Sequence, residues 1–194
     1  MNRVLLENQP AVLISIRPRW CEKIFDGSKT IELRKTAPKK TPFKAYVYET
    51  RGFERVGNDT LNCVIGGNGR GAVIGEFVCL DVDTYTKVGT GRGDMDYLRL
   101  DKDWYTHPID YSALCLSKEE LEAYGSGKLL YGWHITKAVR YDEPRPLTNF
   151  HRPCPNSLYC ESCALYQVRA HACGNYALQI ERPPQSWMYA EDQT

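Results

Sequence analysis

Residues 14–34 read ISIRPRWCEKIFDGSKTIELR, and the reading of this stretch decides the fold. Its first residues close a short apolar run, AVLISI (Ala11–Ile16), flanked by Pro10 and Pro18, which reads as a buried strand. Trp20, Cys21, Ile24 and Phe25 follow at helical spacing. Pro18 suits the first turn of that helix and Gly27 its C-terminal stop. TIELR (30–34) then alternates, as a second strand should.

Working outward, FKAYVYET (43–50) alternates in the same way and makes a third strand. Residues 51–71 hold six glycines, so a long loop is expected there. AVIGEFVCLDVDTY (72–85) is a strong strand signal. Residues 86–115 are polar and acidic with several aromatics, which reads as an insertion or a partly helical excursion. Ser117 and Glu120 stand in capping-box spacing, so a helix starts there and stops near Gly125. LLYGWHITKAVRYDEPRPL (129–147) is another strand, ended by prolines, and NYALQIERPP (175–184) reads as a closing strand. Trp187 and Tyr189 in the tail are expected to pack on the barrel or close over a ligand. Five or six short strands with two helices lack the regular alternation of a parallel sheet. The expected class is α+β, a small mixed barrel with flanking helices.

The chain has 194 residues, 42% hydrophobic and 25% charged, which suits one globular domain over 1–194. No run of about 18 apolar residues exists to span a membrane. The N-terminal residues lack the apolar segment of a signal peptide, so a soluble cytoplasmic protein is expected. A net charge of +1 argues against non-specific coating of nucleic acid. Residues 1–55 nevertheless carry 12 Lys/Arg against 6 Asp/Glu, and the remainder 13 against 18. That asymmetry could steer a phosphate-bearing ligand, or it is an uneven solvated surface.

The chemistry concentrates at GSKTIELR (27–34). With Ile31 and Leu33 on the buried face, alternation puts Thr30, Glu32 and Arg34 together on an open one. Lys29 sits at the turn and can swing either way. Arg34 can grip a phosphate or base edge bidentately, and Glu32 can accept from an exocyclic amine. A lysine beside other cations can have a lowered pKa and serve as base or nucleophile. The plain alternative is a strand with an Arg–Glu pair and solvated charges. Arg17, Arg19 and Trp20 lie at the strand-to-helix junction, where free amides suit phosphate and an indole can stack on a base or anchor the core. Tyr46 and Tyr48 share a face and could line the same cleft. Glu76 interrupts an apolar strand and needs a partner, which Lys29 or Arg34 could supply. Trp133 and His134 take opposite faces, with the histidine more often structural than catalytic.

Of eight cysteines, Cys21, Cys63, Cys79 and Cys115 are scattered and read as reduced core or near-surface thiols. Cys154, Cys160, Cys163 and Cys173 cluster within residues 150–174, flanked by His151 and His171. A C-x2-C knuckle with two further thiols suits a tetrahedral, structural Zn²⁺, and a histidine could replace one cysteine. An iron–sulfur cluster, free thiols and disulfides are the other readings.

The order of elements from AVLISI through ISIRPRWCEKIFDGSKTIELR and GEFVCLDVDTY (75–85) to GWHI…VRYDEP (132–144) resembles the ASCH domain of the PUA-like superfamily. The resemblance runs from about Ala11 to Pro146, resumes at the last strand, and leaves the Cys-rich insertion uncovered. It implies a small β-barrel with a cleft, and binding of RNA, a nucleotide or a modified nucleoside. Some members are hydrolases, among them an N4-acetylcytidine deacetylase and a metal-dependent ribonuclease. In the deacetylases the lysine of a G-x-K-T motif acts beside a threonine three residues on, with a glutamate elsewhere. Lys29 takes the lysine's place, Glu32 stands where the catalytic threonine would be, and Glu119 and Glu120 lie in the helical region comparable to the glutamate. Three functions follow as expectations. The first is a base- or nucleotide-binding module using Arg17, Trp20, Thr30, Arg34 and Tyr48. The second is a hydrolase using Lys29 with Glu32 or Glu76. The third is a non-catalytic protein-interaction module.

Overall fold

The computed structural model describes residues 10–52, 54–56, 63–65, 69–89, 95–101, 103–154 and 175–193. The elements run β1 (Ala11–Ile16), α1 (Pro18–Phe25), β2 (Ile31–Arg34), β3 (Phe43–Glu49), β4 (Glu54–Val56), β5 (Cys63–Ile65) and β6 (Ala72–Gly89). They continue through β7 (Met95–Leu100), β8 (Thr106–His107), α2 (Tyr111–Leu114), α3 (Lys118–Gly125) and β9 (Leu130–Arg145). Last come β10 (Phe150–His151), β11 (Trp187–Tyr189) and β12 (Glu191–Asp192). The class is α+β, as the strand and helix signals predict. The chain divides into two compact units, one of Arg19–Lys44 with Phe77–Val139, the other of Pro10–Pro18, Ala45–Glu76 and Arg140–Thr194. None of the described helices is long and apolar enough to cross a membrane.

In the first unit, β2 lies antiparallel to β9, with Glu32 opposite Trp133 and Leu33 opposite Gly132. The second half of β6 pairs with β7, and β7 with β8. Ile31, Leu33, Tyr85, Tyr97, Leu114, Leu121 and Leu130 bury together between these strands and the two short helices. Gly132 has no side chain because a Cβ there would stand 2.5 Å from Tyr85 Cε2. Helix α3 begins where the sequence places it. The Ser117 hydroxyl accepts from Glu120 N and the Glu120 carboxylate accepts from Ser117 N, the reciprocal pair of a capping box. The described residues of the excursion expected over 86–115 carry the end of β6, then β7 and β8, before the single helical turn of α2. Of β7 only Tyr97 is buried, so Asp96 and Arg99 dilute the alternation that would have marked the strand.

In the second unit, β1 pairs antiparallel with β11 in the register Val12–Tyr189, Leu13–Met188, Ile14–Trp187. Its core gathers Leu13, Tyr46, Tyr48, Val73, Phe150, Ile180 and Ala190. Two expectations are corrected here. The glycine-rich 51–71 stretch contains the antiparallel pair β4 and β5. The closing strand does not lie in 175–184, which holds a 3₁₀ turn (Tyr176–Leu178) and one bridge from Gln179 to His151. The partner of β1 is the tail strand with Trp187 and Tyr189, whose rings meet edge-on at 5.5 Å. Pro183 and Pro184 lack the amides a ladder needs, so pairing resumes only beyond them, where Ser15 N donates to Ser186 O.

Candidate functional site

The turn after α1 aims Lys29. Gly27 adopts φ +81°, in the left-handed region that favours glycine, and Ser28 N donates to the Asp26 carboxylate. Lys29 N then returns to the carbonyl of Lys23, 2.7 Å away. These bonds throw the chain directly into β2 and send the Lys29 side chain inward.

The open face expected for Thr30, Glu32 and Arg34 is not what forms. Thr30 is exposed, but every residue of β2 is buried. Lys29, Glu32 and Arg34 are 3%, 6% and 8% exposed. Helix α2 closes over the start of this stretch: Thr30 N donates to Ala113 O at 3.0 Å, and Lys29 Nζ donates to Leu114 O at 2.6 Å. Within the cluster Lys29 Nζ stands 3.6 Å from Glu32 Oε2, and Arg34 Nη2 stands 3.0 Å from Glu32 Oε1. One carboxylate thus takes a cation on each oxygen, in an interior where an unpaired charge is costly. Burial lowers the pKa of Lys29, because its ammonium form loses hydration; the Glu32 carboxylate opposes the shift without cancelling it.

Trp20 is half-buried and is neither a plain core anchor nor an open stacking surface. Arg19, Lys29 and Lys23 place cationic groups 4.3, 5.1 and 5.8 Å from its ring centre. The indole face therefore carries cation–π contacts that help hold Lys29. Residues that the sequence did not single out complete the surroundings. Cys115, half-buried with φ +53°, places its thiol 3.3 Å from Ser28 O and acts electrostatically on Lys29. Tyr124 on α3 has its phenol pKa raised by burial, with Arg34 and Glu32 acting in opposite directions. Tyr124 could have been found from the four-residue step from Glu120 along a capped helix. No sequence signal marks the Leu114 carbonyl.

The remaining expected residues stand elsewhere. Arg17 is exposed, Tyr48 is packed in the core of the second unit, and Glu76 there accepts a hydrogen bond from Tyr141 Oη at 2.7 Å. His134 takes a 2.9 Å contact to Asp83 Oδ2, and Arg99 lies 3.6 Å from Asp83 Oδ1. Trp133 is fully buried on the opposite face, edge-on to Phe43 at 4.9 Å. Among the expected metal ligands, Cys154 is a free, half-buried thiol. Cys160, Cys163 and Cys173, with His171, lie outside the described residues. Among the described residues no group of three or more His, Cys, Asp or Glu side chains is placed to hold a metal ion.

No family model matches the chain, and no curated protein matches it. Solved structures do. ASCH from Zymomonas mobilis superposes with a TM-score of 0.50 at 18% identity, over 92% of this chain and 86% of that one. Two point mutants of the Zymomonas mobilis protein superpose at 0.51 and 16% identity, over 94% of this chain and 91% and 89% of theirs. At such identities the likeness is one of fold, and it agrees with the sequence motif of residues 14–34. The chain has the α+β fold of these ASCH structures.

Proposed function

We propose that this chain binds a single nucleobase or nucleotide at Lys29, Glu32 and Arg34. The observation that carries the reading is the burial of three ionisable side chains on one short strand and its turn, with two cations to one carboxylate. Such groups cost stability when buried and concentrate where a ligand repays them. Glu32 offers an acceptor for an exocyclic amine, and Arg34 offers paired donors for a base edge or phosphate. The ligand is small or a single flipped base, because a net charge of +1 does not supply a long duplex footprint. Titration calorimetry with nucleosides, nucleotides and short RNAs tests it. The Glu32→Gln/Arg34→Gln double variant, checked for folding by circular dichroism, should lose at least about tenfold in affinity. Unchanged affinity in a folded variant overturns the siting.

A second reading is favoured by one observation, the lowered pKa of Lys29 beside a carboxylate. A lysine so placed can exchange a proton with substrate, as a nucleoside amidohydrolase or ribonuclease requires. Purified protein incubated with N4-acylated cytidines and with RNA decides between the two. Turnover lost in Lys29→Met establishes hydrolysis, and its absence leaves binding alone.

A further inference from the structure

The last turn of α3 holds an aromatic ring at the edge of the Lys29–Glu32–Arg34 cluster. Tyr124 is 38% exposed, and Lys35 Nζ stands 5.0 Å from the centre of its ring. Lys35 directly follows Arg34 at the end of β2 and is itself exposed. Arg34 and Glu32 both act electrostatically on the Tyr124 phenol, so the ring and the buried charges share one neighbourhood. The three charged side chains are closed off from solvent, whereas Tyr124 and Lys35 are open to it.

The backbone beneath this ring is held in place. Gly125 packs so closely on Tyr97 that a Cβ there would stand 2.2 Å from the Tyr97 hydroxyl. That hydroxyl donates to Lys128 O at 2.8 Å, and Ser126 N donates to Glu122 O at 2.9 Å. An aromatic side chain fixed in this way loses little freedom when a planar ligand lies against it. Two carboxylates of α3 are paired, Glu122 with Lys87 at 2.5 Å and Glu120 with Arg19 at 3.9 Å. Those pairings offset the acidic character of the helix and leave Lys35 to attract an anion that approaches the ring.

We infer that Tyr124 and Lys35 form the outer half of this site, and that its ligand is a nucleoside phosphate in preference to the free nucleoside. The inference rests on the binding reading given above for Lys29, Glu32 and Arg34. Tyr124 stacks on the base, as aromatic side chains do with single unpaired bases. The Lys35 ammonium leaves the ring for the phosphate, with which it makes a charge-assisted hydrogen bond stronger than an exposed cation–π contact. With Lys35 on the phosphate, Arg34 and Glu32 are left to the base edge.

The test is titration calorimetry of the full chain with the four common ribonucleosides and their 5′-monophosphates. At least one monophosphate should bind about fivefold or more tighter than its nucleoside. Tyr124→Leu, which keeps an apolar side chain of moderate size, should weaken that monophosphate by at least about fivefold, and Tyr124→Trp should retain it. Lys35→Gln, at an exposed position, should bring the monophosphate down to the affinity of the nucleoside. Monophosphates no tighter than nucleosides, or unchanged affinity in Tyr124→Leu or Lys35→Gln, would overturn the inference. If the Glu32→Gln/Arg34→Gln variant still loses affinity in that event, the siting stands and only the outer half is wrong. Unchanged affinity in that double variant overturns the siting itself, and no binding of any of the eight compounds overturns both.

Discussion

Lys29 and Glu32 face each other across 3.6 Å with their side chains 3% and 8% exposed, and the same carboxylate holds Arg34 at 3.0 Å through its other oxygen. Removing that carboxylate leaves two buried cations facing one another. Glu32→Ala should cost about 3–5 kcal/mol, whereas replacing all three charges by Met, Leu and Met should cost clearly less. Urea denaturation of the single and triple variants checks the order. A triple variant weaker than the single one would contradict the account.

The lowered pKa of Lys29 sets a pH dependence of stability. Between its folded value and the ordinary value of 10.5, the unfolded chain holds more protons at this site than the folded one. Stability contributed by this group therefore rises with pH across that window and levels off above it; below the folded value the slope vanishes. Subtracting the pH profile of Lys29→Met from that of the unaltered protein isolates the effect. The difference should grow upward toward pH 10.5, and a flat or falling difference would count against it.

Gly132 sits opposite Leu33 with Tyr85 against it, so Gly132→Ala forces a methyl to 2.5 Å from the Tyr85 ring and 2.9 Å from Ile31 Cγ2. Both neighbours are core side chains with little room to move. The expected loss is about 1–3 kcal/mol, read as a lower urea midpoint at unchanged slope.

Ser117→Ala removes one half of the α3 capping box, leaving Glu120 N without its side-chain acceptor. A loss of about 1 kcal/mol is expected, and Ser117→Asp should recover most of it. Thermal unfolding followed by circular dichroism measures both. Equal stability of Ser117→Ala and the unaltered protein would mean that solvent satisfies this end of the helix.

Much of the fold was legible residue by residue. The bounds of β1 and α1, the start of α3 at Ser117 and the strand character of 72–85 and 129–147 come from local signals that need no partner: apolar runs, a proline, a glycine stop and a cap. β7 was not legible, because Asp96 and Arg99 mask the one buried tyrosine that holds it. Nor was the tail strand, since WMY (187–189) reads as a strand only once β1 offers it an edge.

The candidate site divides along the same line. The sequence by itself determined that Lys29, Glu32 and Arg34 occur together after a glycine turn, because that depends on spacing along one strand. Whether their face is open or closed was decided only by tertiary structure. A strand's alternation separates two faces but does not say what covers each, and here α2, from more than 75 residues downstream, brings the Leu114 carbonyl onto Lys29. The same covering that buries the lysine lowers its pKa, so its chemistry is a property of the packed fold and not of the motif.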